Sequence, residues 1–338
     1  MATTTPTRRG FFGSQRVREE MLNAYLFLSP YLLVTLLFTF GAILFAVYVS
    51  FTKFDLFTWP PEWVGLEQYA KAFSDKNFVR SLINSLWYVA IVVPVQTALA
   101  LALASLINLR IRGNQFFRTI YYAPSVTSSV VITMIFWWLF MKTGYVNFGL
   151  TKIWAAFGAE WLPVEWWANP RGLIQLIIRA FGSDIPSDLW YLRGPSVTWT
   201  VIMFQNIFTT APTFMIIFLA ALQDIPPPLY EAAAIDGASN RQQFVHITVP
   251  MLRPVILFVV VLGTIGTWQV FDQVKILTEG GPLKTTLTPV YLIFVEALGT
   301  SGPPRMGFAG AMAIVLAAII FFFTFIQRRY IERGTEQY

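Results

Sequence analysis

The chain has 338 residues, of which 56% are hydrophobic, 17% aromatic and only 12% charged. A soluble domain carries about a quarter charged residues, so this balance points to lipid as the solvent. The sequence holds no cysteine and one histidine, His246, which excludes a disulfide framework, a thiolate metal site and a histidine cluster; the formal charge of +6 lies largely on arginines beside apolar blocks and reads as a topology signal, not a nucleic-acid footprint.

A tail over 1–23 carries Arg8, Arg9, Arg16 and Arg18. Six apolar segments follow, over about 24–50, 82–108, 119–141, 196–222, 255–274 and 306–327. Each is long enough for the roughly 20 helical residues that cross a hydrocarbon core. The first is too long for a cleaved signal peptide and lacks a small-residue cleavage site after it, so it is expected to stay as a helix. Arg110, Arg112 and Arg118 lie on the short link between the second and third segments, and Arg328, Arg329 and Arg333 lie in the tail over 328–338. Short basic links face the cytoplasm, so the reading is N-in and C-in, an all-α integral membrane protein with about six transmembrane helices.

The segments expected outside differ in kind. Residues 51–80 form a mixed polar loop with Pro60 and Pro61. Residues 142–195 are long for a loop and rich in tryptophan, with Trp154, Trp161, Trp166, Trp167 and Trp190. Within them, 172–181 has the pattern of an amphipathic helix. Interfacial anchoring explains the tryptophans, and docking of a partner protein on this face is the other reading. A further helix is expected within 285–298, too short for a span and carrying Glu296.

The segment 224–254 between the fourth and fifth spans is the most informative. It reads as two short helices joined by a tight turn. Asp224 is expected to cap the first, with Pro226 early in it, where a missing N–H costs little. Ala232, Ala233 and Ala234 are strong helix formers, Gly237 after Asp236 suits the left-handed position that ends a helix, and Ser239 with Gln242 has the spacing of a capping box. A small-faced helix of this kind can fit a groove on a partner.

These residues resemble the EAA loop of ABC importer permeases, whose pattern is E-A-A, three residues, G, nine residues, I-x-L-P. Glu231, Ala232, Ala233, Gly237, Ile247 and Pro250 match at that spacing, with Val249 in place of the usual leucine. Stretches between Tyr25 and Tyr88 (YLFLSPYLL, SFTKFDLF, WVGLEQYAKAF, NSLWYV), together with Phe271-Asp272 and the run from Leu277 to Pro282, are similar to carbohydrate-type permeases of the maltose and glycerol-3-phosphate kind. Gly41 stands where that family often has proline, and 142–195 is longer than usual. The resemblance implies a type I (MetI-like) transmembrane domain over 24–327 with a cytoplasmic coupling helix, in a bacterial cytoplasmic membrane. It implies a second homologous permease, two ATPase subunits that hold ATP and Mg, and an extracytoplasmic solute-binding protein. This chain would be a non-catalytic subunit that binds no cofactor and no nucleic acid.

Polar residues within spans are costly and mark pathways or helix contacts. Gln205 and Asn206 in the fourth span, with Trp268, Gln269 and Asp272 in the fifth, are candidates to line a path for a sugar, glycoside or polyol, which needs hydroxyl partners and a flat aromatic face. Asp272 has Lys275 as an alternative partner, and Asn84 and Gln96 read as helix–helix hydrogen-bonding groups. The span interiors lack the carboxylates of an ion-coupled transporter, and no G-x-x-x-x-G-K-[ST] loop is present, so ATP hydrolysis would belong to a partner.

Overall fold

The structure is a computed structural model, and it describes residues 15–109, 113–186, 188–300 and 302–332. Arg8, Arg9, Arg110, Arg112 and Arg333, used in the topology reading, lie outside the described residues. Five described helices are long and apolar enough to cross a membrane: Arg18–Ser50, Lys76–Asn108, Val197–Gln223, Arg253–Leu277 and Met306–Arg329.

The expected third span departs from a single helix. Gln115–Val126 and Ser129–Leu139 meet at a bend of 96°, and they make a sixth crossing only when counted as one broken span. The cause is local chemistry. Pro124 lies inside the first piece, where it removes a backbone donor. Ser125 and Thr127 turn their hydroxyls back onto the Tyr122 and Ala123 carbonyls, at 2.7 and 2.8 Å. Such local bonds compete with the helical ladder. The fifth span is also interrupted: its first helix ends at Trp268, and Asp272–Leu277 is a separate short helix.

The second and fourth spans pack along most of their length and form the centre of the bundle. Asp75 accepts from the Phe78 amide and Ser196 from the Trp199 amide, so both helices start on side-chain caps. Near those starts Tyr88 and Trp199 pack ring to ring at 4.6 Å, and the Trp199 indole donates to the Asn84 carbonyl at 3.0 Å. Asn84 in turn donates to the carbonyls of Lys284 and Leu287, so it ties the second span to the loop before Pro289–Leu298 rather than to a facing helix. At the opposite ends, Ala100, Ala104, Phe218, Leu222 and Leu252 share one buried cluster. Gln96 is fully buried, but neither its Nε2 nor its Oε1 has a hydrogen-bond partner among the described residues, so the helix–helix bond expected of it is not formed; Gly263 of the fifth span lets the helices close on it, since a Cβ there would stand 2.5 Å from the Gln96 amide nitrogen.

The first span is different. It runs as helix through Gln15–Val34, a π segment Thr35–Phe40 and Gly41–Ser50, and only its last residues, Val49 and Ser50, are buried. That end lies on the last span, where Gly310 lets the backbones approach. After it, Thr52–Lys53 pairs antiparallel with Glu62–Trp63.

The 142–195 segment is folded rather than irregular. It holds the helices Tyr145–Ala156 and Leu173–Ala180, the second inside the stretch expected to be amphipathic. It clips onto the start of the fourth span, with the Leu173 amide donating to the Pro195 carbonyl and the Val197 amide to the Arg171 carbonyl. Asp184 accepts from Arg179 at 2.5 Å, from Gln175 at 3.0 Å and from its neighbour Ile185 at 2.9 Å. The Arg179 guanidinium, then Gln175, hold the Asp184 carboxyl well below the usual carboxylate range. A depressed carboxyl stabilises the fold above its unfolded value and loses that effect as pH falls through the folded one. Near-UV circular dichroism of the tryptophans is therefore expected to stay constant through the ordinary carboxylate range and to change only at lower pH. The expected helix within 285–298 is Pro289–Leu298, started by the Thr288 side chain.

Candidate functional site

Two features stand out at different depths along the fourth span. The first is the helix pair after its end. The first short helix is Pro227–Ile235, with Pro226 at its N-cap and prolines in the opening positions where no donor is missed. Asp224 does not cap it. Asp224 instead closes the fourth span as its C-cap, because the two residues that follow turn the chain before the new helix begins. Gly237 has φ of 79°, the left-handed conformation that glycine adopts without strain. Around it the Asp236, Gly237 and Ala238 amides bond back to Ala232, Ala234 and Ala233. The second helix, Asn240–Gln243, opens on a complete capping box between Ser239 and Gln242. It continues through a π segment, Phe244–Thr248, into Val249–Met251.

A residue that pattern-matching passes over holds the pair together. The Tyr230 hydroxyl lies 2.8 Å from the Thr248 hydroxyl, and the Tyr230 ring packs on the cluster of Leu222, Ile225 and Leu252. Glu231, Ala232, Asp236 and Gly237 are exposed, and Ala233, Ile247 and Pro250 are half-buried. Leu229, Ala232 and Ile235 follow one another at three-residue spacing on one face. Leu229 is 42% exposed and Ile235 86% exposed. An isoleucine that bare on a capped, braced helix is an apolar knob. His246 is exposed, with Nδ1 3.0 Å from the Gln242 carbonyl.

The second feature is a hollow of about 270 Å³ at the break of the third span. Its wall includes Pro124, Ser125, Thr127 and Ser129 from the break, and Gln205, Thr209, Thr210 and Thr213 from the fourth span, with Gln273 from the short second helix of the fifth. Non-helical backbone at membrane depth is tolerated where it is buried in protein or lines a cavity. The lining side chains are mainly hydroxyls and amides, with Pro124 and Ile132 apolar. Gln205 is 1% exposed, its amide nitrogen donates to the Thr133 hydroxyl at 2.7 Å, and its Oε1 has no hydrogen-bond partner among the described residues. Asn206 stands beside this wall, with its carbonyl accepting from Thr209 at 3.1 Å.

The structure does not bring the two halves of the expected path together. Trp268 is 2% exposed and packs with Val89, Val93 and Leu316, its ring 5.6 Å from that of Phe323. It is a core residue between the second and last spans, not part of the wall on which Gln205 lies. Gln269, the C-cap of Trp268's helix, and Asp272, which opens the short helix after the break, are both exposed. Asp272 forms no ion pair with Lys275 among the described residues; Lys275 instead lies over the rings of Phe294 and Phe271, at 4.3 and 5.4 Å.

A family model, binding-protein-dependent transport system inner membrane component, matches residues 96–337. The probable ABC transporter permease YesP of Bacillus subtilis is 33% identical over 316 residues, covering 93% of this chain and 91% of that protein. The lactose transport system permease LacF of Rhizobium radiobacter is 30% identical over 310 residues, 90% of this chain and 93% of its own length. The sn-glycerol-3-phosphate transport system permease UgpA of Salmonella typhi is 26% identical over 311 residues, 91% and 93% of the two chains. Among solved structures, a chain of a bacterial alginate ABC transporter in complex with an alginate pentasaccharide-bound periplasmic protein has a TM-score of 0.73 at 22% identity, covering 97% of this chain and 99% of that one. The fold is thus the type I, MetI-like importer permease fold implied by the resemblance. The chain belongs to the family of binding-protein-dependent transport system inner membrane components, the permease subunits of ABC importers.

Proposed function

We propose that the chain forms, with a second permease, the path by which a sugar, glycoside or polyol enters the cell, driven by ATP hydrolysis in two separate ATPase subunits. Both termini and the Pro227–Pro250 pair face the cytoplasm of a bacterial inner membrane. A solute-binding protein delivers cargo at the opposite ends of the spans. ATP and Mg belong to the ATPase subunits, and this subunit is non-catalytic. The basic links support the orientation, and the printed names of the lactose and glycerol-3-phosphate permeases and of the alginate complex support the cargo class and the delivering partner.

The observation that carries the cargo reading is the hollow at the third-span break. At about 270 Å³ it lies just below the ~300 Å³ lower end of small-molecule sites. Its hydroxyls and the unpartnered Gln205 Oε1 offer donors and acceptors to a neutral polyol and no fixed charge to an ion. Gln205, Asn206, Thr209, Thr210 and Gln273 would contact the passing solute, while Glu231, Ala232, Ala233, Asp236, Gly237, Ile247 and Pro250 would form the ATPase-coupling element. Gln269 and Asp272 remain candidates only for the path's far end.

Uptake into proteoliposomes holding the full complex tests this. Thr209→Val with Thr210→Val keeps shape and removes two hydroxyls, each worth about 0.5–1.5 kcal/mol, so the KM for sugar uptake should rise about tenfold. Unchanged sugar uptake would remove the hollow from the path. Uptake confined to amino acids or metals would overturn the cargo class, and uptake that persists on an ion gradient without the ATPase would overturn the importer reading.

A further inference from the structure

A second hollow, of about 260 Å³, lies at the end of the spans opposite the helix pair, between the start of the second span and the tryptophan-rich segment. Four arginines line it: Arg80, Arg171, Arg179 and Arg193. Arg179 is paired with Asp184. Among the described residues none of the other three has an acidic partner, and Arg80 and Arg193 are near enough for like-charge repulsion. Nε of Arg80 and Nε of Arg193 are both buried without a hydrogen-bond partner. Gathering cations with idle donors is unfavourable unless an anion offsets it, and a guanidinium fork matches an oxyanion in two-point contact.

The wall beside the arginines is aromatic. Trp87, Trp190 and Tyr191 line the same hollow. The Arg80 guanidinium lies 5.2 Å from the Trp190 ring centre, and the Trp87 indole donates to the Tyr191 carbonyl at 3.0 Å. The frame is rigid: a Cβ on Gly172 would run into the Arg193 carbonyl, and Gly194, at φ of 74°, packs on Ile174.

We propose that this hollow binds a carboxylate carried on a sugar ring, the arginines taking the anion and the aromatic faces taking the ring's C–H surface, at the entrance side of the path. The inference rests on the saccharide reading above and narrows it to an acidic saccharide. The same oxyanion chemistry could be presented by a lipid phosphate, which has no ring for the aromatic wall.

The full chain in zwitterionic-lipid nanodiscs, titrated by calorimetry with trigalacturonate and with maltotriose as its neutral counterpart, tests it. Trigalacturonate should bind at least tenfold more tightly than maltotriose, and its affinity should fall with salt. Arg80→Gln with Arg193→Gln should weaken it at least tenfold. Arg171→Gln, at an exposed position that leaves the buried pair intact, should weaken it about threefold and covers the case in which the double variant does not fold. Equal binding of the two trimers, or parental affinity in folded Arg171→Gln, would overturn the proposal. Loss of trigalacturonate binding on adding phosphatidylglycerol to the discs would assign the arginines to lipid and overturn it too. A complex that passes the Thr209/Thr210 uptake test but ignores trigalacturonate loses this inference alone.

Discussion

Ile235→Asp is expected to abolish coupled uptake while leaving the subunit folded and membrane-inserted. Ile235 is 86% exposed at the end of Pro227–Ile235, so the fold loses almost nothing when it changes. An apolar side chain moved from water into a partner's groove contributes about 1.5–3 kcal/mol, and a carboxylate buried there without a partner costs more than that. The knob would thus become a repulsive element in the proposed contact. Co-purification of the ATPase with the permease should fall at least tenfold, and solute-stimulated ATP hydrolysis should fall with it. Ile235→Leu should retain both. Glu231→Lys tests the same face one turn before Ile235, four residues earlier. Gly237→Ala adds a backbone term: no atom lies near a Cβ there, but φ of 79° costs a non-glycine residue about 1–2 kcal/mol. A folded Ile235→Asp subunit that still co-purifies with its ATPase would show that the exposed face is not the contact.

Gly307→Val is expected to be the most damaging single change to the bundle itself. A Cβ at Gly307 would collide with the Thr52 carbonyl, while the Gly307 amide donates to the Phe54 carbonyl at 3.2 Å. The colliding group is backbone, so no side-chain rotation relieves it. Overpacking of this kind costs about 1–3 kcal/mol, and here it also breaks the backbone hydrogen bond from Gly307 that joins the last span to the hairpin after the first. The last span touches the first span, the fifth span and Pro289–Leu298, so its displacement reaches several elements. The expected result is a lower yield of monodisperse subunit in detergent and a midpoint of thermal unfolding lowered by several degrees. Gly302→Ala, with nothing near its Cβ, is the matched control and should be neutral.

Element placement and the helix pair were legible in the sequence because their signals are local. Long apolar runs need only counting, and Gly237, Ser239 and Gln242 act on their own backbone. The break at Thr127 was not legible. A window long enough to detect a span averages Pro124, Ser125, Thr127 and Ser128 with the apolar residues on either side, so the run reads as continuous although its hydroxyls point back at the helix carbonyls. The cluster A-P-S-V-T-S-S was the available signal, and it would have led to Thr209, Thr210 and Gln273. The error at Trp268 has another origin. Adjacency in sequence to Gln269 suggested a shared face, but the helix ends at Trp268 and the indole turns into the core between the second and last spans. Asp224 failed as a cap for a related reason: the residue type was right, but the fourth span runs on to Gln223 and takes Asp224 as its own C-cap.

The Tyr230–Thr248 hydroxyl contact makes the helix pair a lever with a stiff elbow. One arm continues into the fourth span through Ile225, the other into the fifth through Leu252, and both residues lie in the cluster that grips the Tyr230 ring. The hollow begins at Thr213 and Thr209, roughly 15–20 Å up the fourth span from Gln223 at 1.5 Å per residue. A tilt of about 10° at the elbow therefore displaces that wall by about 3 Å at the end of a helical arm of this length. A stroke delivered to the exposed knob would be read as a change in the bore at Gln205 and Thr209, with Pro212 as the joint within the arm.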